Sequence, residues 1–256
     1  MDFIKTEVKD HLLLIELNRN DKMNAFTFQM LQELAQAYTM LEDDKTLRCG
    51  FLFSKGKHFT AGLDLADVAK HIGKGATLFG DETVDPVQLI GRKRTKPMVV
   101  AVQGYALTIA IELILANDIC IAGKDTKFGQ IEIKRGIFPF GGATIRFAQR
   151  CGWGNAMRYL LTGDSFDENE ALRIGLVQEV SDNPYDTGLK VANTIAKQAP
   201  LGVQATLINA TKTFEQGYEA AKADLMPLLQ KLMHSKDAQE GIQSFVERRE
   251  AKFTGE

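Results

Sequence analysis

Apolar and polar positions along the chain switch repeatedly between strand-like and helical spacing. The opening carries two short stretches of β character, residues 3–8 and 12–17, around the polar triplet Lys9, Asp10 and His11, which predicts a hairpin. The polar run from Asn18 to Lys22 ends it. From Thr27 the period lengthens: Met30, Leu31, Leu34, Tyr38 and Leu41 recur at helical spacing, with Glu33, Gln36 and Glu42 on the opposite side. This predicts an amphipathic helix packed on a sheet. Residues 50–53 and 99–102 are short continuous apolar runs, read as buried strands, and the second feeds a turn at Gly104. Asp64 is placed to open a helix.

Residues 68–89 are rich in glycine and polar side chains and read as a mobile segment, a candidate lid. The basic cluster Arg92, Lys93, Arg94 and Lys96 before Pro97 reads as a solvated helix end, with contact to phosphate as the alternative. Helical patterns follow at residues 144–150 and 155–161, then Asp167 with Glu168 and Glu170 signals a further helix start, closed by Gly175. Residues 176–180 read as a last short strand. Beyond Pro184 only helical patterns remain, over residues 187–198, 203–215, 218–232 and 239–249. Strands early and helices late predict an α/β core with an all-helical C-terminal part.

Composition narrows the function classes. The 256 residues are 45% hydrophobic, enough for a sizeable core, and 31 basic residues against 33 acidic leave a net charge of −2. No global field favours nucleic acid or an anionic membrane surface. Cys49, Cys120 and Cys151 are odd in number, widely spaced and set in apolar segments, which suits reduced core thiols and suggests neither a metal site nor a disulfide framework. The N-terminal sequence lacks the order of a secretory signal, so a cytoplasmic location is expected. Residues 99–116 approach membrane-spanning length, but Gln103, Gly104, Thr108 and Glu112 interrupt them, and a strand, turn and buried helix fits better.

Two glutamates stand out. Glu112 interrupts the apolar run of Ile109, Ala110, Ile111, Leu113, Ile114 and Leu115, so a carboxylate enters the first turn of a buried helix. Glu132 lies between Ile131 and Ile133, just before the turn at Lys134, Arg135 and Gly136. Apolar surroundings raise a carboxyl pKa toward neutrality, and two such groups brought together divide acid and base work between them. The plainer alternatives are a glutamate favoured by the helix dipole and one facing solvent from a strand.

At HFTAGLDL, GYALTIAIEL, FGQIEIKRG with PFGGA, and LLTGDSFDENEALRIGLVQEV, the sequence resembles the enoyl-CoA hydratase (crotonase) superfamily over nearly its whole length, from NRNDKMNAF to FVERREAKF. The resemblance implies an α/β fold, a crotonase-like spiral of ββα units in residues 1–185 that holds the site, and an all-helical trimerisation region in residues 186–256. It implies a homo-oligomer, trimer or dimer of trimers, acting on an acyl-CoA thioester, with no cofactor beyond the coenzyme A of the substrate; charge and cysteine usage add the expectation of no metal, no nucleic acid and no membrane partner.

By motif position Glu112 and Glu132, 20 residues apart, match the two catalytic glutamates of hydratases, and the backbone N–H groups of Leu63 and Ile109 match the oxyanion hole. Lys22, Met23, Ala61, Leu63 and Asp64 match the coenzyme A contacts, joined by Phe245 and Arg248, which in the family often reach coenzyme A from a neighbouring subunit. Phe138, Phe140 and Gly141 fall where the acyl chain is expected. The implied reaction is hydration of a 2-enoyl-CoA. A 3-enoyl to 2-enoyl-CoA isomerase is the nearest enzymatic rival, another acyl-CoA reaction of the family stands beside it, and a noncatalytic acyl-CoA-binding protein is the rival of another class.

One departure is conspicuous. Many hydratases carry three glycines where this chain has Thr108, Ile109 and Ala110. Thr108 is expected to compensate as a helix N-cap.

Overall fold

The computed structural model describes residues 1–256. Strands β1 (Ile4–Lys9) and β2 (Leu12–Leu17) form the expected hairpin, antiparallel with Ile4 opposite Leu17. Helix α1 (Phe28–Asp43) follows, and the Thr27 side chain accepts from the Met30 N–H as its cap. Glu33, read from its spacing as lying on the outer side, is instead buried and accepts from the N–H groups of Asp2, Phe3 and Ile4. It thereby satisfies three backbone N–H groups at the start of β1.

Three more strands extend the sheet in parallel. They are β3 (Cys49–Ser54), β4 (Met98–Val102) and β6 (Ile119–Gly123), with the short β9 (Glu179–Ser181) at the far edge, giving the order β1-β2-β3-β4-β6-β9. The expected strand at 176–180 is thus mostly a buried connection, since Leu176 and Val177 are in the core but pairing begins at Glu179. A second sheet consists of β5 (Tyr105–Leu107), β7 (Lys127–Gly129) and β8 (Ser165–Asp167). Two bridges continue it, Thr60 with Ala106 and Leu63 with Phe26.

These bridges explain the spiral. Each long strand of the first sheet is followed by a short extended piece in the second layer and then a helix. β2 leads through Phe26 to α1, β3 through Thr60 and Leu63 to α2 (Leu65–Ile72), and β4 through β5 to α3 (Ile109–Ala116). The helices therefore begin side by side at one end of the molecule.

Helices α4 (Ala143–Cys151), α5 (Trp153–Thr162) and α6 (Glu168–Arg173) lie where the spacing predicts them. Helix α7 (Pro184–Ala196) does not belong to a separate helical part. Its Ala192 and Ala196 pack with Phe51, Val99 and Ala101 on the sheet face away from the main core. The boundary at 185/186 falls inside it, and the purely helical region starts with α8 (Pro200–Gln216), α9 (Tyr218–Met233) and α10 (Lys236–Glu247).

The candidate lid and basic cluster also differ from expectation. Phe79, Val84 and Val87 are buried in the core, so residues 68–89 are anchored along their second half. The basic cluster is not a helix end. Arg94 is buried, pairs with both carboxylate oxygens of Asp118 at 2.8 and 2.9 Å, and donates to the Lys96 and Ala116 carbonyls. Lys96 donates to the carbonyls of Leu41 and Asp44, while Arg92 and Lys93 pair with Asp43 and Glu215.

Because Asp118 also accepts from the Met98 N–H, this pair ties the start of β4 to the end of α3. Asp118→Ala leaves the Arg94 charge buried without its partner. The expected cost is roughly 3–5 kcal/mol in denaturant unfolding.

Candidate active site

The backbone of the second layer builds the first part of the site. Thr60 and Ala106 run parallel, with the Thr60 N–H donating to the Tyr105 carbonyl (3.0 Å) and the Leu107 N–H donating to the Thr60 carbonyl (3.1 Å). Two residues on, Phe26 donates to the Gly62 carbonyl and accepts from the Asp64 N–H, so the Leu63 N–H between them points the other way. It meets no acceptor in the chain.

Across from it, the Thr108 N–H donates to Gly129, and α3 then begins at Ile109, whose N–H as the first of the helix has no intrahelical partner. The two turns touch. Gly62 has φ +107°, and a Cβ on it would stand 2.4 Å from the Thr108 Oγ1. Leu63 and Ile109, the residues that follow, thus present two free donors from adjoining turns, one of them at a helix N-terminus.

The expected cap is absent. Thr108 stands at the N-cap position with φ 52° and ψ −109°, and its side chain makes no cap bond. Its hydroxyl is buried without a partner.

Glu112, one turn into α3, is 4% exposed and accepts from the Gly141 N–H at 2.6 Å. A Cβ on Gly141 would stand 2.2 Å from Glu112 Oε2, so only glycine lets that backbone come so close. Glu132, 7% exposed, opens the 3-10 turn Glu132–Arg135 and accepts from Gln130 Nε2 at 3.2 Å, while its Oε2 has no partner. Neither glutamate faces solvent.

Burial pushes the Glu112 carboxyl up to about 7, the charge of Glu132 adds to the rise, and the amides of Gly141 and Ala143 hold it back. Burial likewise pushes Glu132 up to about 7. Across the whole chain four buried side-chain atoms lack a hydrogen bond, and three of them, Thr108 Oγ1, Gln130 Oε1 and Glu132 Oε2, belong to this cluster. Orphaned buried groups are costly, so their concentration here marks a place where something outside the chain is to be bound.

A stability consequence follows from the sign of these shifts. The folded state holds protons on both carboxyls that the unfolded chain gives up above about pH 4.5. Their contribution is complete below that pH and is lost as pH rises through about 7. Glu112→Gln, which keeps the shape without the charge, is expected to raise the melting temperature at about pH 8 and to change it little at about pH 5. The gain corresponds to roughly 2–3 kcal/mol.

The coenzyme A candidates divide into two groups. Lys22 and Met23 form an exposed turn, and the Met23 carbonyl accepts from the Ala61 N–H at 2.9 Å, so this turn and the 61–64 segment lie together. Arg19 holds Asp64 in the same place at 3.3 Å. Phe245 and Arg248, at the end of α10, are not brought to the glutamates. The tail after α10 is tied at the opposite end of the sheet, where Arg48, just before β3, donates to the Phe253 carbonyl. Phe245 is 85% exposed. Of the acyl candidates, Gly141 lies against Glu112, Phe140 is half-buried, and Phe138 is largely exposed.

The family model described as enoyl-CoA hydratase/isomerase matches residues 7–256. The chain belongs to this family. It is 33% identical over 254 residues to enoyl-CoA hydratase EchA19 of Mycobacterium tuberculosis, covering 96% of this chain and 94% of that one. To the 2,3-dehydroadipyl-CoA hydratase of Escherichia coli it is 30% identical, covering 96% of each. The crystal structure of a probable enoyl-CoA hydratase/isomerase from Mycobacterium abscessus superposes with a TM-score of 0.96 at 48% identity over 99% of both chains. The spiral built above is the crotonase fold.

Sequence reasoning missed Gln130 and Arg19. Gln130 follows β7 directly and stands two residues before Glu132, where the chain turns and brings its amide to that carboxylate. A buried amide beside a buried carboxyl is the signal that would have found it. Arg19 carries no such mark, because its partner Asp64 is 45 residues away.

Proposed function

We propose that this enzyme adds water to a trans-2-enoyl-CoA to give a 3-hydroxyacyl-CoA. The observation that carries the reading is the pair of buried carboxyls, both raised to about 7, in a site that also has two unpaired amides. One carboxyl poised to take a proton and one to give it is what hydration requires.

In this reading the thioester oxygen accepts from the N–H groups of Leu63 and Ile109. Glu112 orients a water and takes its proton as the oxygen bonds to Cβ. The π electrons move to Cα and the thioester, and the negative charge develops on the oxygen held by the two amides. Glu132 then protonates Cα on the same face, and the proton from water returns the pair to its starting state. The two titrate as a unit.

Coenzyme A lies along Lys22, Met23, Ala61, Leu63 and Asp64, and the acyl chain runs toward Gly141, Phe140 and Phe138. Phe245 and Arg248 serve the site of a neighbouring copy. The exposed apolar side chains of Phe214, Tyr218, Leu225, Met226 and Leu229 on α8 and α9 support assembly into a trimer or a dimer of trimers.

The family's printed description also includes isomerases. An isomerase moves a proton between Cα and Cγ with no water and can work with one carboxyl, so retention of two raised carboxyls favours hydration. The assay that separates them follows the absorbance of the conjugated enoyl thioester. A hydratase removes it from crotonyl-CoA or a longer 2-enoyl-CoA, whereas an isomerase creates it from a 3-enoyl-CoA. No loss with any 2-enoyl-CoA would sink the hydratase reading.

A further inference from the structure

Thr108 is the residue whose conformation the chain explains least. Its φ of 52° with ψ of −109° is the first central position of a type II′ turn, a place dominated by glycine. A β-branched side chain there is a genuine outlier. The hydroxyl adds to this, for it is nine-tenths buried and has no partner. Neither helix capping nor packing against a polar neighbour accounts for it.

Its position does. The Thr108 Oγ1 fills the notch left by the missing side chain of Gly62, with which it would otherwise collide at 2.4 Å. Gly62 is bonded to the nitrogen of Leu63, and Thr108 itself is bonded to the nitrogen of Ile109. The hydroxyl therefore sits one residue from each free amide, between the turns that present them. A hydroxyl rotates freely and offers one donor, which in this chain is unspent.

We propose that the Thr108 hydroxyl is a third hydrogen-bond donor to the thioester oxygen, beside the amides of Leu63 and Ile109. The inference rests on the oxyanion reading above. It gives the orphan hydroxyl its partner in the bound state, and it explains why a strained threonine occupies a glycine position. A hydroxyl that served only to fill space would be replaceable by a methyl group.

The test compares Thr108→Ser, Thr108→Val and Thr108→Gly by two readouts. One is kcat and KM with a 2-enoyl-CoA. The other is the near-ultraviolet enolate absorbance of bound acetoacetyl-CoA, a thioester that reports charge on the same oxygen without being hydrated. Serine should keep kcat within about threefold, while valine and glycine lose roughly 10- to 100-fold with KM nearly unchanged, and the enolate band should weaken in the same order. Glycine, which relieves the φ strain, serves where valine fails to fold.

Full kcat and an undiminished enolate band in the glycine variant would overturn the proposal. Were the wild-type protein to hydrate no enoyl-CoA, the hydration reading alone would fall, and the enolate band would still decide the role of Thr108. A wild-type protein showing no enolate band would overturn the role together with the oxyanion reading.

Discussion

Glu112→Gln and Glu132→Gln should each lose about 10²- to 10⁴-fold in kcat while binding coenzyme A as the wild type does. Glutamine keeps the volume and the hydrogen-bond reach of the carboxyl, and neither residue touches the turn at Lys22 and Met23 where coenzyme A is expected. What disappears is proton transfer. The two losses should not multiply in the double variant, because acid and base serve one event and the pair acts as a unit. Steady-state kinetics with crotonyl-CoA beside calorimetric titration with coenzyme A gives both halves of the result. Equal turnover in variant and wild type would remove that glutamate from the chemistry.

Gly141→Ala is expected to be nearly as damaging, although it removes no functional group. The added Cβ would stand 2.2 Å from Glu112 Oε2 and 2.6 Å from its carboxyl carbon, so the carboxylate must swing away and lose the 2.6 Å bond from the Gly141 amide. A displacement of about 1 Å at a reacting group costs on the order of 10²-fold, and kcat should fall by about that much. Stability should change far less than activity, since the carboxylate can move into the site rather than into packed core. A variant with unaltered kcat would mean that the Glu112 carboxylate is not held where the chemistry needs it.

How much of this was legible beforehand depends on what kind of information each residue carries. Glu112 could be found from the sequence because it breaks a continuous apolar run, and burial of such a run is nearly certain in a chain of this composition. The hairpin, α1 and the late helices were likewise written in their periodicity.

Strands β5, β7 and β8 were not legible. At three residues each they carry no pattern of their own, and they exist because the longer strands deliver them to a common second layer. Arg94 and Lys96 were misread as solvated because a charge run usually is. Here a bidentate aspartate for Arg94, and the Leu41 and Asp44 carbonyls for Lys96, all distant in sequence, make burial tolerable.

Thr108 misled in an informative way. A threonine before a helix is ordinarily its cap, and that expectation fails because the backbone takes a glycine-like turn that aims the hydroxyl at Gly62 instead. Places where good local rules fail are where functional constraints are expected to lie.

For water to add as proposed, one carboxyl of the pair must be ionised and the other protonated. The most direct measurement is kcat/KM for a 2-enoyl-CoA from about pH 5 to about pH 9. A bell with its maximum near neutrality is expected, falling on the acid side as the base is protonated and on the alkaline side as the acid is lost, since burial raises both groups to about 7. A profile that stays flat across that range would contradict the division of labour between Glu112 and Glu132.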